Sequence, residues 1–89
     1  MKKITVLLVD DHMMLRQGMR ALLMTEPDFE VVGEAENGRQ AVELAGKLQP
    51  DVVVMDIAMP QLNGLEATRR IAKEAPQARV LILSSYSDD

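Results

Sequence analysis

The sequence predicts an α/β domain in which helices cover a parallel β-sheet. Short apolar runs rich in β-branched residues recur along the 89 residues, separated by stretches with apolar side chains at helical spacing. Strands and helices that alternate in this way form parallel sheets, because each helix returns the chain to the start of the next strand. With 47% hydrophobic and 27% charged residues, the composition is that of an ordinary globular domain.

The first half of the chain is predicted to form two strands and two helices. Residues 4–9 are predicted to form a strand because the run is short, apolar and rich in β-branched residues, and residues 29–35, which follow the turn at Pro27-Asp28, are predicted to form the second strand. One helix is predicted over about 13–24, and a second begins after the capping residue Asn37 and ends before Pro50. Apolar residues recur at helical spacing in both, and the methionines among them are expected in the core: Met14, Leu15, Gly18, Met19, Leu22 and Leu23, then Ala41, Leu44, Ala45 and Leu48.

The second half continues the alternation. Residues 51–56 (DVVVMD) are predicted to form a strand buried on both faces, because four apolar side chains follow one another. Pro60 prevents the chain from continuing smoothly, and a helix is expected over 64–75 with Asn63 as its cap. Residues 80–83 form the fourth predicted strand. The positions of the third helix expected to face inward are Leu65, Thr68, Ile71 and Ala72.

Composition excludes several classes of function. The net charge of −4 and the pI near 4.9 argue against a nucleic-acid-binding surface on these residues. The absence of cysteine excludes disulfides and thiolate metal ligands, and it agrees with a cytoplasmic protein. No window approaches the roughly 18 consecutive apolar residues of a membrane-spanning helix, so no membrane partner is expected.

The order β-α-β-α-β-α-β leaves few topologies, and the flavodoxin-like strand order 2-1-3-4-5 fits it best. In that order the first and third strands are neighbours at the point where the sheet changes direction. Asp10 and Asp11 follow the first strand, Asp56 ends the third, and Ser84 follows the fourth. The sequence therefore predicts three carboxylates and a hydroxyl at one edge of the sheet.

Three neighbouring carboxylates repel one another and call for a cation or for raised pKa values. The candidate ligands are hard oxygens without cysteine, which selects Mg²⁺ or Mn²⁺ over zinc. A metal held by one or two carboxylates suits phosphate, because it offsets the charge between a phosphoryl group and an attacking carboxylate. Asp56 is then a plausible nucleophile that forms an aspartyl phosphate, and Ser84 could donate a hydrogen bond to the phosphoryl group.

Each of these residues also has a plainer structural interpretation. Asp10 or Asp11 could cap the first helix, Asp56 could cap a turn, and serine is common where strands end. His12 is expected to be a surface residue of the first helical turn and not a metal ligand. The scattered lysines and arginines are expected on solvated faces. The metal and phosphoryl hypothesis depends on the topology that brings the residues together.

The motifs that carry this chemistry resemble those of the response-regulator receiver domains. They are LLVDDH at residues 7–12, VMDIAMP at 54–60 with Asn63-Gly64, and VLILS at 80–84. The resemblance covers the whole chain. The opening Asp-Asp-His and the run EAENG at 34–38 look most like the branch whose outputs are LuxR-type helix-turn-helix domains.

The resemblance implies that Asp56 accepts a phosphoryl group from the phosphohistidine of a sensor histidine kinase. It also implies that Mg²⁺ is held by Asp11, Asp56 and the backbone carbonyl of Ala58, with Asp10 acting mainly through water. Such a domain is a phosphoacceptor with self-phosphorylation and self-dephosphorylation chemistry, and not an enzyme acting on other substrates.

Four residues have further expected roles. Ser84 and Ser85 stand where the family contacts the phosphoryl group and switches the next loop. Ala58 and Tyr86 flank the expected path of hydrolytic water and would tune the lifetime of the aspartyl phosphate.

The chain also departs from the family pattern. Receiver domains have a fifth strand that ends in a lysine, followed by a fifth helix, whereas these residues stop at Asp89. We therefore expect residues 1–89 to be a receiver domain that lacks its fifth strand, its last helices and its output domain. DNA would be reached only through that output domain. The strand at 80–83 would then be an apolar edge, which predicts self-association of the shortened chain.

Two other functions compete with the phosphoacceptor. One is an interaction module that keeps the fold and works without phosphorylation, which the missing lysine favours for these 89 residues. The other is a Mg²⁺-dependent phosphohydrolase, whose haloacid-dehalogenase-like members place Asp-x-Asp after the first strand, a pattern that Asp-Asp-His does not match.

Overall fold

The computed structural model describes residues 3–56 and 64–83, which form four strands and three helices in the predicted order. The element bounds agree with the sequence predictions within one or two residues. They are β1 (Ile4–Val9), α1 (Met13–Met24), β2 (Phe29–Ala35), α2 (Gly38–Leu48), β3 (Val52–Asp56), α3 (Gly64–Glu74) and β4 (Arg79–Leu83).

The four strands form one parallel sheet in the order β2-β1-β3-β4, which confirms the predicted flavodoxin-like topology. Strand β1 lies between β2 and β3, with Val9 opposite Met55 on one side and Ala35 on the other. The connection from β1 leads to β2 on one side of it, whereas β3 and β4 are added on the opposite side of β1. Because such crossovers are right-handed, α1 covers one face of the sheet while α2 and α3 cover the other.

Asp51 joins three strands at the end of the sheet where they begin. Its carboxylate Oδ2 accepts hydrogen bonds from the backbone N–H of Thr5 at 2.9 Å and from the Thr5 hydroxyl at 3.1 Å. The carbonyl of Asp51 accepts from the N–H of Arg79 at 2.9 Å. Strand β3 therefore begins one residue later than predicted, because Asp51 holds the ends of β1 and β4 together.

The main core lies between the sheet and the pair α2 and α3. It is made of small and branched side chains that are almost wholly buried: Leu7, Val9, Ala35, Ala41, Ala45, Val53, Met55, Ala67, Ile71 and Ala75. Two predicted inward positions of α3 are wrong, since Leu65 is 64% exposed and Ala72 is also exposed. The buried face of α3 instead carries Ala67, Ile71 and Ala75, which recur every four residues and so lie on one side of the helix.

Hydrogen bonds fix both ends of α2. Asn37 caps the helix as predicted, its Oδ1 accepting from the N–H of Gln40 at 2.9 Å, while Oε1 of Gln40 accepts from the N–H of Glu36 at 2.9 Å. At the other end Gln49 adopts a left-handed conformation, with φ of 48°. Its side-chain amide donates to the carbonyls of Gly46 at 2.9 Å and Glu74 at 3.0 Å, which ties the ends of α2 and α3 together.

The apolar stripe of α1 was predicted to be core, and most of it is exposed. Met14 is 85% and Leu22 is 71% exposed, and Leu48 of α2 is also partly exposed at 39%. Within residues 3–56 and 64–83, no second helix flanks α1 on its face of the sheet. Only the narrow strip of α1 that lies directly on the sheet is therefore covered. Val6 and Leu8 of the sheet are buried beneath it. In the part of the chain described, no helix is long and apolar enough to cross a membrane.

Candidate functional site

The candidate site begins where β1 ends, at Asp10. The side chain of Asp10 is 6% exposed, whereas that of the following residue, Asp11, is 31% exposed. The backbone N–H of Asp10 donates to the carbonyl of Ala35 at 3.0 Å, which extends the pairing of β1 with β2 by one residue. The sheet therefore holds Asp10 rigidly and leaves Asp11 open to solvent.

His12 joins the two carboxylates. Its Nδ1 lies 3.0 Å from Oδ1 of Asp10 and 3.0 Å from Oδ1 of Asp11. Both neighbours are carboxylate acceptors, so Nδ1 carries the hydrogen in this geometry. The imidazole is 66% exposed, in line with the expected surface position, but it is also part of the acidic cluster.

The alternative in which Asp10 or Asp11 caps α1 is wrong. His12 occupies the cap position with extended backbone angles, and its side chain does not cap the helix. Oδ1 of Asp10 instead accepts from the N–H of His12 at 2.8 Å, which forms a tight turn between β1 and α1. Asp10 therefore stabilises the turn, and neither carboxylate caps the helix.

Arg16 lies directly behind the cluster, and the expectation that arginines occupy solvated faces is wrong for this residue. Its Nη1 donates to the backbone carbonyl of Asp10 at 2.6 Å, and its Nε donates to Oε1 of Glu34 at 3.1 Å. Arg20, one turn later, donates to Oε2 of Glu34 at 2.7 Å. The sequence signal is the spacing of two arginines four residues apart on α1, opposite an acidic residue near the end of β2.

The charge balance around Glu34 follows from these contacts. Partial burial raises the pKa of the Glu34 carboxyl, but the hydrogen bonds and positive charges of Arg16 and Arg20 outweigh it and leave the pKa below its ordinary value of 4.5. Glu34 is thus an anion that balances the buried charge of Arg16.

Strand β3 brings Asp56 to the same edge of the sheet. Val9 pairs with Met55, so the residues that follow in both strands, Asp10 and Asp56, come together where the strands end. The backbone of Asp56 pairs with Leu83 of β4. The other predicted site residues lie outside the described residues, and their roles stay predictions: Ala58, Ser84, Ser85 and Tyr86, along with the predicted cap Asn63.

The cluster has the chemistry of a site for a hard cation. One donor atom from each of Asp10, Asp11 and His12 lies within 4.8 Å of the others. The Oδ1 atoms of Asp10 and Asp11 both face the imidazole Nδ1–H of His12, which donates to each of them. Oxygen donors of this charge suit Mg²⁺ or Mn²⁺, so the residues present fit such an ion.

Comparison with known proteins agrees with this geometry. Residues 6–89 match the family of response regulator receiver domains. Over 87 residues the chain is 47% identical to the transcriptional regulatory protein DegU of Brevibacillus brevis, covering 98% of this chain and 37% of that protein. It is 46% identical over 86 residues to the transcriptional regulatory protein LiaR of Bacillus subtilis, covering 97% of this chain and 41% of that protein. The chain thus spans less than half the length of either relative.

A solved structure shows the same likeness. The crystal structure of a DNA-binding response regulator of the LuxR family from Staphylococcus aureus superposes with a TM-score of 0.85 at 33% identity, covering 96% of this chain and 71% of that chain. The likeness to the LuxR branch that the motifs predicted is confirmed. With its sheet order, its acidic cluster and these relatives, the chain belongs to the receiver-domain family of the response regulators of two-component signalling.

Proposed function

We propose that this chain is a phosphoacceptor that receives a phosphoryl group on Asp56 from a sensor histidine kinase. The observation that carries the proposal is the placement of Asp10 and Asp11 beside the end of β3, the strand that ends in Asp56. An acidic pair next to a third aspartate is the arrangement that a divalent cation and a phosphoryl group together would balance.

The reaction is a transfer between two nucleophiles. A carboxylate oxygen of Asp56 attacks the phosphorus of the donor, the new P–O bond forms, and the P–N bond to the kinase histidine breaks. Asp11, Asp56 and the carbonyl of Ala58 would hold Mg²⁺, with Asp10 mainly through water. The ion would neutralise charge on the phosphoryl oxygens.

The remaining residues act on the product. Ser84 would donate a hydrogen bond to a phosphoryl oxygen, and with Ser85 it would carry the change to the following loop. Ala58 and Tyr86 would limit the access of hydrolytic water. This self-directed chemistry makes the chain a signalling module and not an enzyme with separate substrates.

The output would be transcriptional. Both curated relatives are transcriptional regulatory proteins, and the solved relative is described as DNA-binding. We place residues 1–89 in the receiver domain of a longer regulator, which would contact DNA through a LuxR-type output domain. A protein that takes its signal from a kinase and acts on bacterial DNA works in the cytoplasm.

Intact mass spectrometry after incubation with acetyl phosphate and Mg²⁺ tests the proposal. The full-length protein should gain one phosphoryl group, and the gain should disappear when EDTA replaces Mg²⁺. An unchanged mass would favour the interaction module that works without phosphorylation. Continuous release of inorganic phosphate without a lasting mass gain would favour the phosphohydrolase.

A further inference from the structure

Arg16 is a buried cation that contacts the backbone of the turn between β1 and α1, which contains Asp10 and Asp11. Its side chain is 11% exposed, and Nη1 donates to the carbonyl oxygen of Asp10 at 2.6 Å. Glu34 balances the charge at 3.1 Å. A buried arginine needs such partners, because an unpaired charge away from water is very unfavourable. What distinguishes Arg16 from an ordinary ion-paired residue is the carbonyl that it holds.

That carbonyl belongs to the peptide unit that joins Asp10 to Asp11. The N–H of Asp10 is already bound to the carbonyl of Ala35 at 3.0 Å. With Asp10 bound at its N–H by the sheet and at its carbonyl by Arg16, the direction in which the chain enters Asp11 is fixed. The Asp10 side chain is fixed separately by the N–H of His12 at 2.8 Å.

We propose that Arg16 is a positioning residue that orients the peptide between Asp10 and Asp11 and so holds both carboxylates ready for Mg²⁺. This inference rests on the proposed function, since it assigns the metal to these two residues. Arg16 acts through Asp10 and needs no contact with the ion or the phosphoryl group. Groups that orient metal ligands in this way commonly contribute about 10- to 100-fold to metal affinity.

The chain offers a matched control in Arg20. Arg20 pairs with the same carboxylate of Glu34 at 2.7 Å, but its side chain is 52% exposed. Among the hydrogen bonds of the described residues, those of Arg20 go to Glu34 and none goes to Asp10. If Arg16 acted only through its ion pair with Glu34, removing Arg16 or Arg20 would have a similar effect on the turn.

The experiment compares Arg16→Met, Arg16→Lys and Arg20→Met in the full-length protein. The first measurement is the Kd for Mg²⁺ by calorimetric titration. The second is hydrogen exchange of the backbone amide of His12 in metal-free protein. Arg16→Met should weaken Mg²⁺ binding about tenfold and speed exchange at His12, whereas Arg20→Met should leave both unchanged. Arg16→Lys keeps the charge and one donor, so its values should lie between those of the unsubstituted protein and Arg16→Met.

Two results would overturn the inference. Equal Kd values for all variants would show that Arg16 does not position the ligands, while the proposed function would stand. Equal weakening by Arg16→Met and Arg20→Met would assign the effect to the Glu34 ion pair. If the unsubstituted protein does not bind Mg²⁺, the proposed function fails, and exchange at His12 still decides whether Arg16 orients the turn. If Arg16→Met does not fold, Arg16→Lys carries the same comparison.

Discussion

The backbone N–H and the imidazole Nδ1 of His12 both contact the same oxygen of Asp10, at 2.8 Å and 3.0 Å. One oxygen of the Asp10 carboxylate is therefore already hydrogen-bonded, and these contacts with His12 fix the orientation of the side chain. A cation that binds here must share Asp10 with His12 or displace the imidazole, which is largely exposed.

Substitution of the phosphoacceptor should remove phosphorylation. Asp56→Asn keeps the size of the side chain but lacks the nucleophilic carboxylate, so labelling by the cognate kinase should be abolished. Asp28→Asn, at an exposed position, is the control and should be labelled like the unsubstituted protein. Labelling of Asp56→Asn at the original level would show that another residue accepts the phosphoryl group.

Magnesium should bind at the end of β1. Titration with Mg²⁺ should shift the amide signals of residues 10, 11 and 56–58, and Asp11→Asn should weaken the binding by removing one anionic ligand. Binding should also weaken as the pH falls, because protons compete with the metal for the carboxylates. Amide signals that stay in place throughout the titration would contradict the site.

The aspartyl phosphate should be long-lived. Ala58 has no side-chain group that could orient an attacking water, and the ring of Tyr86 is expected to shield the phosphoryl group. Ala58→Asn supplies a polar group at this position and should increase the rate of dephosphorylation severalfold. The rate is measured as the loss of phosphorylated protein in intact mass spectra over time. A rate that is equal or lower in Ala58→Asn would count against this explanation.

Glu34 should make stability depend on acid pH. Its pKa is lowered in the folded state by Arg16 and Arg20, against the raising effect of burial. A lowered pKa stabilises the fold fully above the ordinary value of 4.5, and the stabilisation is lost as the pH falls through the folded-state pKa. Glu34→Gln should therefore be less stable than the unsubstituted protein at neutral pH, and the difference should shrink in acid.

Chemical denaturation at pH 7 and at pH 3 measures that difference. Glu30→Gln on the same strand is an exposed control, and it should behave like the unsubstituted protein at both values. A loss of stability in Glu34→Gln that is equal at both pH values would mean that the carboxylate contributes through its shape and not through its charge.

The chain of residues 1–89 should self-associate through β4. Leu81 is 55% and Ile82 is 37% exposed on this strand, which is an edge of the described sheet. After Arg79 the strand carries no charge, and apolar edges of this kind favour pairing with another strand. Each Å² of apolar surface covered contributes about 25 cal/mol. Light scattering should show dimers or larger species, and Leu81→Lys should shift them toward monomer. A monodisperse, cooperatively folding monomer of residues 1–89 would contradict this prediction.

Much of the fold was predictable because local signals determine it. Strand β3 is a continuous apolar run that can be buried on both faces, and Asn37 with Gln40 gives the start of α2 by a local hydrogen-bond pattern. The handedness of the crossovers then limits the strand order, which places Asp10, Asp11 and the end of β3 at one edge. The acidic site could therefore be located from the sequence, although the roles of its residues stay predictions.

Periodicity predicted that α1 and α3 are amphipathic, but not which residues each would bury. Met14 is exposed because the described structure has no second helix beside α1, and Leu65 is exposed because the face of α3 that meets the core is the one with Ala67 and Ile71. These choices depend on the neighbours of each helix in space, and the spacing of residues along one helix contains no information about them.

By itself, the sequence determined the alternation of elements, the parallel sheet and the positions at which acidic residues leave it. Only the tertiary structure decided that His12 joins the carboxylates and that Arg16 reaches the carbonyl of Asp10 with Glu34 as its counter-ion. Arg16 and Glu34 are 18 residues apart. Their contact exists because β2 pairs with β1 beneath α1. That pairing places the negative charge of Glu34, on the edge strand β2, beside Arg16.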